Sequence, residues 1–562
     1  MKKIAIFLSL MLFMAASAFA QNVTVSGSIK DASTDEPLPG ASVLLKGTRT
    51  GTVSDLDGNY SITVPSGGTL VFSSIGYQTE EVVVNGSGNR VVPIALQPDT
   101  EYLEDVLVVA YGTAKKESFT GSAQTIKSDQ IEKRTVANVT KALDGMAAGI
   151  LTTSGSGQPG AGASVIIRGY GSINASTTPL YVVDGVPYDG NINALNPNDI
   201  ESMTVIKDAS AGALYGARGA NGVVIVTTKR GGEGRAKVSL KANVGVSSRA
   251  IPRYDTLNAK EWTEDVYYMY KNDYLAEGYG QITAGQMAAA AMSSGADAIF
   301  GVNEQYNPFS KPVAELFDHT TGKIVDGVTQ KWDDDWLDLS TNPTPVRQEY
   351  QMTVTGGNRS NQYMFSLGYL SEDGLVKMTN FERMSGRANV QSQINEWFKT
   401  GLNVNFAHNT TNSTTLGSSQ SSNSAYSNVF YSCQTMGPVY PLYARNADGS
   451  YILDANGEKT YDWGEDRPAG ASAGWNPLAN LIDDKYLGAS DNLSGRTNVE
   501  IGGLTHGALA GLKLSANLGF DLVFNKSKTY YNPYFGNAKS VNGEIYITDG
   551  RTFSYTFNQL LT

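Results

Sequence analysis

Two short glycine motifs combine residue types that catalysis and nucleotide binding use. Residues 470–474 (GASAG) match G-x-S-x-G, in which the serine stands between a buried strand and a helix. No such strand precedes them, since residues 465–468 read EDRP, and His506 is the only histidine downstream. Residues 155–160 (GSGQPG) match G-x-G-x-x-G, but they lead into a loop and a strand, where phosphate binding requires a helix N-terminus. We therefore predict that the chain is not an enzyme.

The residue types that bind metal ions are few and widely separated. Cys433 is the only cysteine, and the histidines are His319, His408 and His506. These numbers exclude an internal disulfide and argue against a Cys/His metal site. Residues 55–59 (DLDGN) resemble part of a calcium loop, yet the bidentate carboxylate downstream is missing and Asp-Gly is typical of a hairpin turn. We expect no metal ion and no cofactor.

Four tryptophans stand near carboxylates in two long polar segments. Trp332 and Trp336 flank three aspartates, and Trp463 and Trp475 bound a stretch that contains Asp466. An aromatic face beside a carboxylate is suited to stack on a sugar and to accept hydrogen bonds from its hydroxyl groups. These tryptophans are therefore candidates for substrate contacts. The alternative is that they pack within the loops or contact a partner that covers them.

Length and charge exclude several classes of protein. At roughly 150 residues per domain, the chain of 562 residues predicts three to four domains. With 43 basic and 54 acidic residues the net charge is −11, which argues against a duplex nucleic-acid binder. Charged residues make up only 17%, against roughly 25% in soluble domains. Neutral polar residues and glycine make up the difference.

The first twenty residues have the pattern of a secretory signal peptide. Lys2 and Lys3 precede an apolar run from residue 4 to about residue 16, and residues 18–20 (AFA) form a small-x-small cleavage site. The run is shorter than the roughly 20 residues of a spanning helix, and we find no later run near 18 residues. We expect the mature chain to leave the cytoplasm as a soluble protein or as a β-barrel.

Three segments after the signal peptide have different strand patterns. Residues 21–98 contain short strands with turn signals between them, which fits a seven-strand sandwich. Residues 106–111 (VLVVAY) form an apolar run of β-formers, which is either an isolated strand that a partner extends or a plain sandwich or barrel strand. Residues 115–232 alternate strand-like runs with short helical pieces and predict a compact mixed domain.

From residue 233 onward the pattern predicts long two-faced strands. Residues 237–247 and 512–524 alternate apolar with polar side chains, over a length beyond the 5–6 residues usual in globular strands. The predicted connections alternate between long segments of roughly 80 to 100 residues and tight turns such as residues 356–359 (GGNR). Short turns on one side and long loops on the other are typical of outer-membrane barrels. About eight such strands are visible.

Longer stretches resemble known families. Residues 27–48, 51–62 and 70–82 resemble the carboxypeptidase-regulatory-like domain, which is a transthyretin-like sandwich. Residues 165–190 and 195–231 resemble the plug domain of the SusC/RagA family of TonB-linked outer-membrane transporters. The apolar run between the two domains resembles the TonB box of such proteins, and its residues are Val106, Leu107, Val108, Val109, Ala110 and Tyr111.

The resemblance implies a mainly β fold in five parts. The parts are a signal peptide (1–20), a sandwich (21–98), a linker with the TonB box (99–114), an α/β plug (115–232) and the first eight or so antiparallel strands of a 22-stranded transmembrane barrel (233–562). Family members have chains nearly twice as long, so we expect this to be the N-terminal part of a transporter. Because such plugs lie inside the barrel, Arg168 and Arg218 are candidates for buried ion pairs with wall carboxylates, with turn stabilisation as the alternative.

The resemblance also implies a function and its partners. TonB, with ExbB and ExbD, would pair with the TonB box from the periplasm and drive import through a barrel in the outer-membrane lipid. A SusD-like surface lipoprotein would cover the barrel. The expected substrate is a glycan or oligosaccharide, with a peptide or other nutrient as one alternative and a non-transporting surface adhesin or structural barrel as another. We expect no nucleic-acid partner.

Overall fold

The computed structural model describes residues 22–32, 35–48, 50–74, 77–86, 88–97, 106–109, 112–115, 123–208, 213–294, 299–413, 429–468, 474–502 and 511–562. The predicted signal peptide lies outside these residues, as do Ala110 and Tyr111. Within the described ranges, no helix has both the length and the apolar character that crossing a membrane requires. The chain divides into two compact units, the first of which contains the sandwich and the second the plug and the long strands.

The first unit is a sandwich of two four-stranded sheets. One sheet has the order β4-β1-β7 with β8 on β1, and the other has the order β3-β2-β5-β6. The strands are β1 (Asn22–Asp31), β2 (Ser42–Leu45), β3 (Gly51–Val53), β4 (Asn59–Pro65), β5 (Gly68–Ser73), β6 (Glu80–Val84), β7 (Gly88–Val91) and β8 (Ile94–Leu96). Alternate side chains of β4 are buried, as the period of two predicts. Eight strands replace the seven expected, since strands of three or four residues are too short to show alternation.

Two short strands follow in the linker. They are β9 (Val106–Val109) and β10 (Gly112–Lys115), and they pair with each other in a two-stranded sheet. The apolar run of the sequence is therefore a strand over its first four residues, and it has one neighbour in place of the isolation that we considered. A strand in a two-stranded sheet still has one edge without a partner strand.

The plug is a mixed α/β domain around a five-stranded sheet of order β11-β16-β17-β14-β15. The strands are β11 (Ala123–Lys127), β12 (Ile150–Thr153), β13 (Ser164–Ile167), β14 (Leu180–Val183), β15 (Val186–Pro187), β16 (Ile200–Ile206) and β17 (Val223–Thr228), and the α-helices are α1 (Ser128–Glu132) and α2 (Val139–Ala142). Met203, Val205, Val224 and Val226 lie at the centre of its core. The predicted helix over residues 136–146 is shorter because Gly145, with φ of 64°, turns the chain.

Eight long strands form one antiparallel sheet, in which each strand pairs with its neighbours in sequence. This sheet, called the wall, is an open portion of a barrel. Its strands are β18 (Gly234–Val246), β19 (Val346–Gly357), β20 (Asn361–Asp373), β21 (Asn380–Asn395), β22 (Phe398–Asn412), β23 (Lys485–Gly502), β24 (Lys513–Tyr531) and β25 (Glu544–Leu561). Tight turns join β19 to β20 and β21 to β22, and the two long connections leave the opposite edge. The predicted alternation of connection lengths is confirmed.

The two faces of the wall have opposite chemistry. One face turns towards the plug and is polar where it is buried, with Glu349, Gln351, Arg383, Arg387, Asn403 and Asn405. The alternate positions are exposed and apolar, as at Leu240, Met352, Leu367, Leu402, Leu518 and Phe553. Because successive side chains of a strand point to opposite faces, a period of two in the sequence produces this separation.

The two long connections pack on each other. We call them the loop cap, which comprises the described residues of 247–345 and 413–484. Its helices are α3 (Ala259–Ala276), α4 (Gln281–Met292), α5 (Trp336–Ser340), α6 (Val429–Thr435) and α7 (Pro477–Asp483). Asn258 and Glu261 form a capping box at the start of α3. Residues of both connections share one apolar cluster, in which Ala259, Tyr306 and Trp336 of the first meet Tyr440 and Leu478 of the second.

Asp335 gives the loop cap a dependence on pH. Its carboxylate accepts hydrogen bonds from the backbone N–H groups of Leu337 and Asp338 and lies 2.5 Å from Arg253. The hydrogen bond from Arg253 is the largest cause that lowers the pKa of Asp335. The ionised carboxylate therefore stabilises the loop cap above the usual carboxyl pKa, and this contribution is lost as the pH falls through the lowered pKa.

We expect Asp335→Ala to destabilise the loop cap by about 1 kcal/mol near neutral pH, as the loss of an N-cap does. The difference from the parent protein should shrink as the pH falls below the usual carboxyl pKa and should vanish below the lowered pKa of Asp335. Thermal unfolding followed by tryptophan fluorescence over a series of acidic pH values measures it. Asp338→Ala is the control, because Asp338 is 72% exposed and lies 3.7 Å from Arg253. An equal effect of both variants at neutral pH would contradict the role of Asp335.

Candidate functional site

The plug and the wall meet through buried charged and polar groups, which we call the plug–wall interface. Asp184 lies in the turn between β14 and β15, with φ of 49°, and its carboxylate accepts a hydrogen bond from the Thr228 backbone N–H at 2.9 Å. From the wall, Arg387 donates to the same carboxylate at 3.0 Å, and Asn403 also donates to it. The side chains of Arg387 and Asp184 are 2% and 8% exposed. A buried pair with such additional hydrogen bonds holds the plug against the wall.

A second group of contacts joins the plug segment 196–199 to the wall. The Asn196 amide donates to Gln351 at 2.8 Å, and the Gln351 amide donates to Asp199 at 3.0 Å. Asn198 donates to Glu349 at 2.8 Å. Burial is the largest cause that acts on Asp199 and raises its pKa. All the hydrogen-bond partners in this group are side chains. A sliding motion of the segment 196–199 along the wall would break these hydrogen bonds together.

Two further arginines of the wall contact the plug, one through a backbone carbonyl and the other through the ring of a tyrosine. Arg383, which is 1% exposed, donates to the Ala137 carbonyl at 2.6 Å. Arg496 pairs with Asp521 at 2.7 Å within the wall, and its guanidinium lies 5.4 Å from the centre of the Tyr188 ring in the plug. The cations of this interface therefore come from the wall and the principal anions from the plug.

In these pairs the wall supplies the arginines and the plug the carboxylates, whereas we expected arginines of the plug to pair with carboxylates of the wall. Arg168 is exposed, with φ of 57°, at the end of β13. Arg218 pairs with Asp189, which belongs to the plug itself, and is 53% exposed. Neither arginine forms a buried pair with a wall carboxylate among the described residues, which include eight strands of the wall, and their pairing with a carboxylate of the barrel stays a prediction. Arg218 matches the alternative of a turn-stabilising arginine, because Asp189 follows β15 by two residues.

The signal that the sequence analysis missed lies in β21. Arg383 and Arg387 are four residues apart, on the same face of a two-faced strand as Ser385 and Asn389. The faces alternate, so arginines on the polar face of a predicted barrel strand must turn towards the plug. The sequence carries this signal, whereas the plug group that each arginine contacts depends on long-range register.

The four tryptophan candidates lie inside the loop cap. Trp332 and Trp336 are 6% and 2% exposed, and their indole N–H groups donate to the carbonyls of Val439 and Tyr440 at 2.9 Å each. Trp463 is 9% exposed and stacks on Phe535 at 4.9 Å, and Trp475 is 3% exposed. This placement supports packing within the loops, because buried rings offer no free face to a sugar.

A buried arginine joins the parts of the loop cap. Arg467 is completely buried and donates to the Asp462 carboxylate at 2.5 Å. It also donates to the Trp475 carbonyl at 2.9 Å and to the Asp462 carbonyl at 3.1 Å. Tyr306 of the first connection donates to the same carboxylate at 3.0 Å. The cap is thus a packed unit with a polar centre.

The described residues contain no group of three or more His, Cys, Asp or Glu side chains placed to hold a metal ion. Cys433 is buried, and burial is the largest cause that raises its pKa to about 11. A thiol with so high a pKa is a poor nucleophile near neutral pH. The serine of residues 470–474 lies outside the described residues.

Two family models match the chain in consecutive positions. Residues 25–108 match the CarboxypepD_reg-like domain. Residues 115–223 match the TonB-dependent Receptor Plug Domain.

Curated relatives match much longer stretches. The TonB-dependent receptor SusC of Bacteroides thetaiotaomicron is 32% identical, in an alignment that covers 99% of this chain and 50% of SusC. The TonB-dependent receptor P3 of Formosa agariphila is 34% identical over 80% of this chain and 39% of its own length. The chain thus spans half or less of the length of these relatives.

Solved structures agree with this assignment. The RagAB peptide importer in its open-open state is 27% identical, with a TM-score of 0.59, over 81% of this chain and 46% of that chain. A further structure of the RagAB peptide transporter has a TM-score of 0.58 at 27% identity over 78% of this chain and 45% of that chain. These relatives are named as receptors and transporters. The consecutive domain matches, the similarity to SusC and the similarity to RagAB together place the chain in the SusC/RagA family of TonB-dependent receptors.

Proposed function

We propose that this chain is part of a TonB-dependent importer in the outer membrane of a Gram-negative bacterium. The plug–wall interface is the observation that carries the proposal. Asp184, Asn196 and Asp199 are held by polar side chains of the wall rather than by a continuous apolar core. Polar pairs can exchange their partners for water when the plug moves, whereas an apolar core would have to be exposed. Such an interface suits a plug that is closed at rest and displaced during transport.

The energy for this displacement must come from a partner. The chain has no motif for nucleotide hydrolysis in a suitable context, and the outer membrane has no ATP beside it. We propose that TonB, with ExbB and ExbD, adds a strand to the segment Val106–Tyr111 and pulls on the plug. Pairing with a strand edge uses backbone hydrogen bonds, which an apolar β-forming run is suited to make.

The wall supports a position of this chain in the membrane. Its exposed apolar face matches the hydrocarbon of a bilayer, and its polar face matches an interior that is filled by a plug. We place the tight turns, the sandwich and the TonB box in the periplasm and the loop cap outside the cell. The loop cap then lies where a SusD-like surface lipoprotein would cover the barrel.

We propose a glycan or oligosaccharide as the substrate and an oligopeptide as the alternative. The glycan follows from the family resemblance of the sequence, and the peptide is favoured by the relatives that are named as peptide importers. The buried tryptophans of the loop cap give neither class a direct contact, so growth measurements must separate them.

We expect Val108→Pro in the full-length protein to abolish import. Proline removes a backbone N–H donor from the strand that TonB would extend. The measurement is growth of the native host on single polysaccharides and on peptides, compared with the parent strain at equal membrane levels of the protein. Val108→Thr is the matched control, because threonine keeps both the donor and the β-branched side chain.

The pattern of growth distinguishes the alternatives. Loss on one polysaccharide would identify a glycan substrate, and loss on peptides would identify the alternative. Related transporters should be deleted from the native host strain, so that no paralogue replaces the function. Unchanged growth of the Val108→Pro strain on every source would contradict TonB-driven import and favour a non-transporting barrel.

A further inference from the structure

The apolar surface on the outer face of β24 ends below two lysines. Along β24 the outward positions from Leu514 to Phe524 are apolar, and the next two are Lys526 and Lys528. Ten residue steps correspond to roughly 34 Å along a strand, or about 26 Å of height at a tilt of 40°. That height is close to the height of the apolar band in outer-membrane barrels, which is about 25 Å. The two lysines therefore lie just above the hydrocarbon, at the level of lipid headgroups, on the side of the wall that carries the loop cap.

Neighbouring strands show the same change at the same register. Phe406, Leu493, Leu522 and Phe553 form one continuous cross-strand row. Two rows nearer the loop cap, Glu382, Thr410, Ala489 and Lys526 are paired in the same way. Between these two rows the outward side chains change from apolar to polar on β22 and β24, and the row between them already contains His408, Asp491 and Arg551 beside Phe524.

A groove of about 480 Å³ lies at this boundary. Its lining includes Glu382, Thr410, Asn412, Leu487, Lys526 and Lys528. The ammonium groups of the two lysines have no carboxylate oxygen within 4.0 Å in the part of the chain that the structure describes, although Asp549 of β25 lies directly across from Lys526. They are exposed and lie on consecutive outward positions of one strand. Two unpaired cations beside a groove at headgroup level attract an anion that the membrane itself supplies.

The opposite side of the groove has a different character. Glu382 lies three strands away from Lys526, which is roughly 14 Å at 4.8 Å per strand. A carboxylate there repels a headgroup that is anionic throughout, but it accepts hydrogen bonds from sugar hydroxyl groups. Thr410 and Asn412 between them add neutral donors. Leu487 lies in the same cross-strand row as Lys528, so it adds an apolar contact at headgroup level.

We propose that this groove binds the phosphorylated sugar headgroup of a glycolipid in the outer leaflet, with Lys526 and Lys528 on a phosphate and Glu382 on sugar hydroxyls. The proposal rests on the outer-membrane placement given above. It assigns the lipid to the outside of the barrel, so the bound molecule is not the transported substrate.

The test uses the full-length protein in phosphatidylcholine nanodiscs. The discs contain 5 mol% of a phosphorylated glucosamine-disaccharide lipid or of its dephosphorylated form, and native mass spectrometry measures the lipid that each protein retains. We expect Lys526→Gln/Lys528→Gln to weaken retention of the phosphorylated lipid about 30-fold, as the loss of two cationic contacts with an anionic membrane implies. Lys237→Gln/Lys399→Gln is the control, because these lysines lie on inward positions near the opposite edge of the wall.

The retention of the two lipids by the two variants tests the proposal. Retention that falls only in the Lys526/Lys528 variant, and only for the phosphorylated lipid, supports the proposal. Equal retention of both lipids, or equal losses in both variants, overturns it. Complete release by millimolar inorganic phosphate would show a site for free anions and would overturn the lipid assignment. Import by the Lys526/Lys528 variant is measured separately, so a failure here is distinct from a failure of the proposed transport function.

Discussion

Replacement of Arg467 with methionine is expected to destabilise the loop cap by about 3–5 kcal/mol. Arg467 is completely buried, and its guanidinium neutralises the buried Asp462 carboxylate at 2.5 Å. Methionine fills much of the volume but leaves that carboxylate without its cation, which is the costly way to break a buried pair. The hydrogen bond from Tyr306 to Asp462 remains and offsets only part of the loss.

Tryptophan fluorescence measures this effect well, because all tryptophans except Trp397 lie in the loop cap. Thermal unfolding of the full-length protein should show an earlier transition for Arg467→Met. The matched control is Lys539→Met, whose partner Glu465 is 60% exposed, and which should change stability by less than about 1 kcal/mol. The double variant Arg467→Met/Asp462→Leu should recover most of the loss, since it removes both charges. If the double variant is as unstable as the single one, the buried carboxylate is not the cause.

Asp184→Ala is expected to weaken the attachment of the plug to the wall by about 3–5 kcal/mol. The substitution leaves Arg387, whose side chain is 2% exposed, without its carboxylate. It also removes the acceptor for the Thr228 backbone N–H and for Asn403, and alanine is strained at the positive φ of this position. The plug should therefore open more often in the absence of TonB.

Two measurements report that opening in the full-length protein. Hydrogen exchange of the plug strands β14 and β17 should accelerate, and cells should become permeable to a large antibiotic that the outer membrane excludes. Arg218→Ala is the matched control, because Arg218 pairs within the plug and is 53% exposed. Asp184→Asn separates charge from strain, since asparagine tolerates a positive φ. Equal effects of Asp184→Ala and Arg218→Ala would refute the assignment of the plug–wall interface.

The sequence predicts the wall well because its signal is local. Alternation along residues 237–247 and 512–524 is set by the two faces of a single strand, and β18 and β24 follow it. The pairing of wall arginines with plug carboxylates was not predicted. A period of two places Arg387 on the inward face, but its partner Asp184 is 203 residues away and is selected by the fold of the plug. The same holds for Trp332 and Trp336, because a local sequence pattern does not reveal the distant residues that bury their side chains.

The loop cap also has a consequence for the order of assembly. Its contacts join residues far apart in the chain, since Trp332 meets Val439 across 107 positions and Trp336 meets Tyr440 across 104. Four strands of the wall, β19 to β22, lie between these segments and form hairpins through tight turns or local loops. Closing such long loops first would carry the larger entropic cost. The hairpins therefore act as a template, and the cap becomes complete only after the strands beneath it have paired.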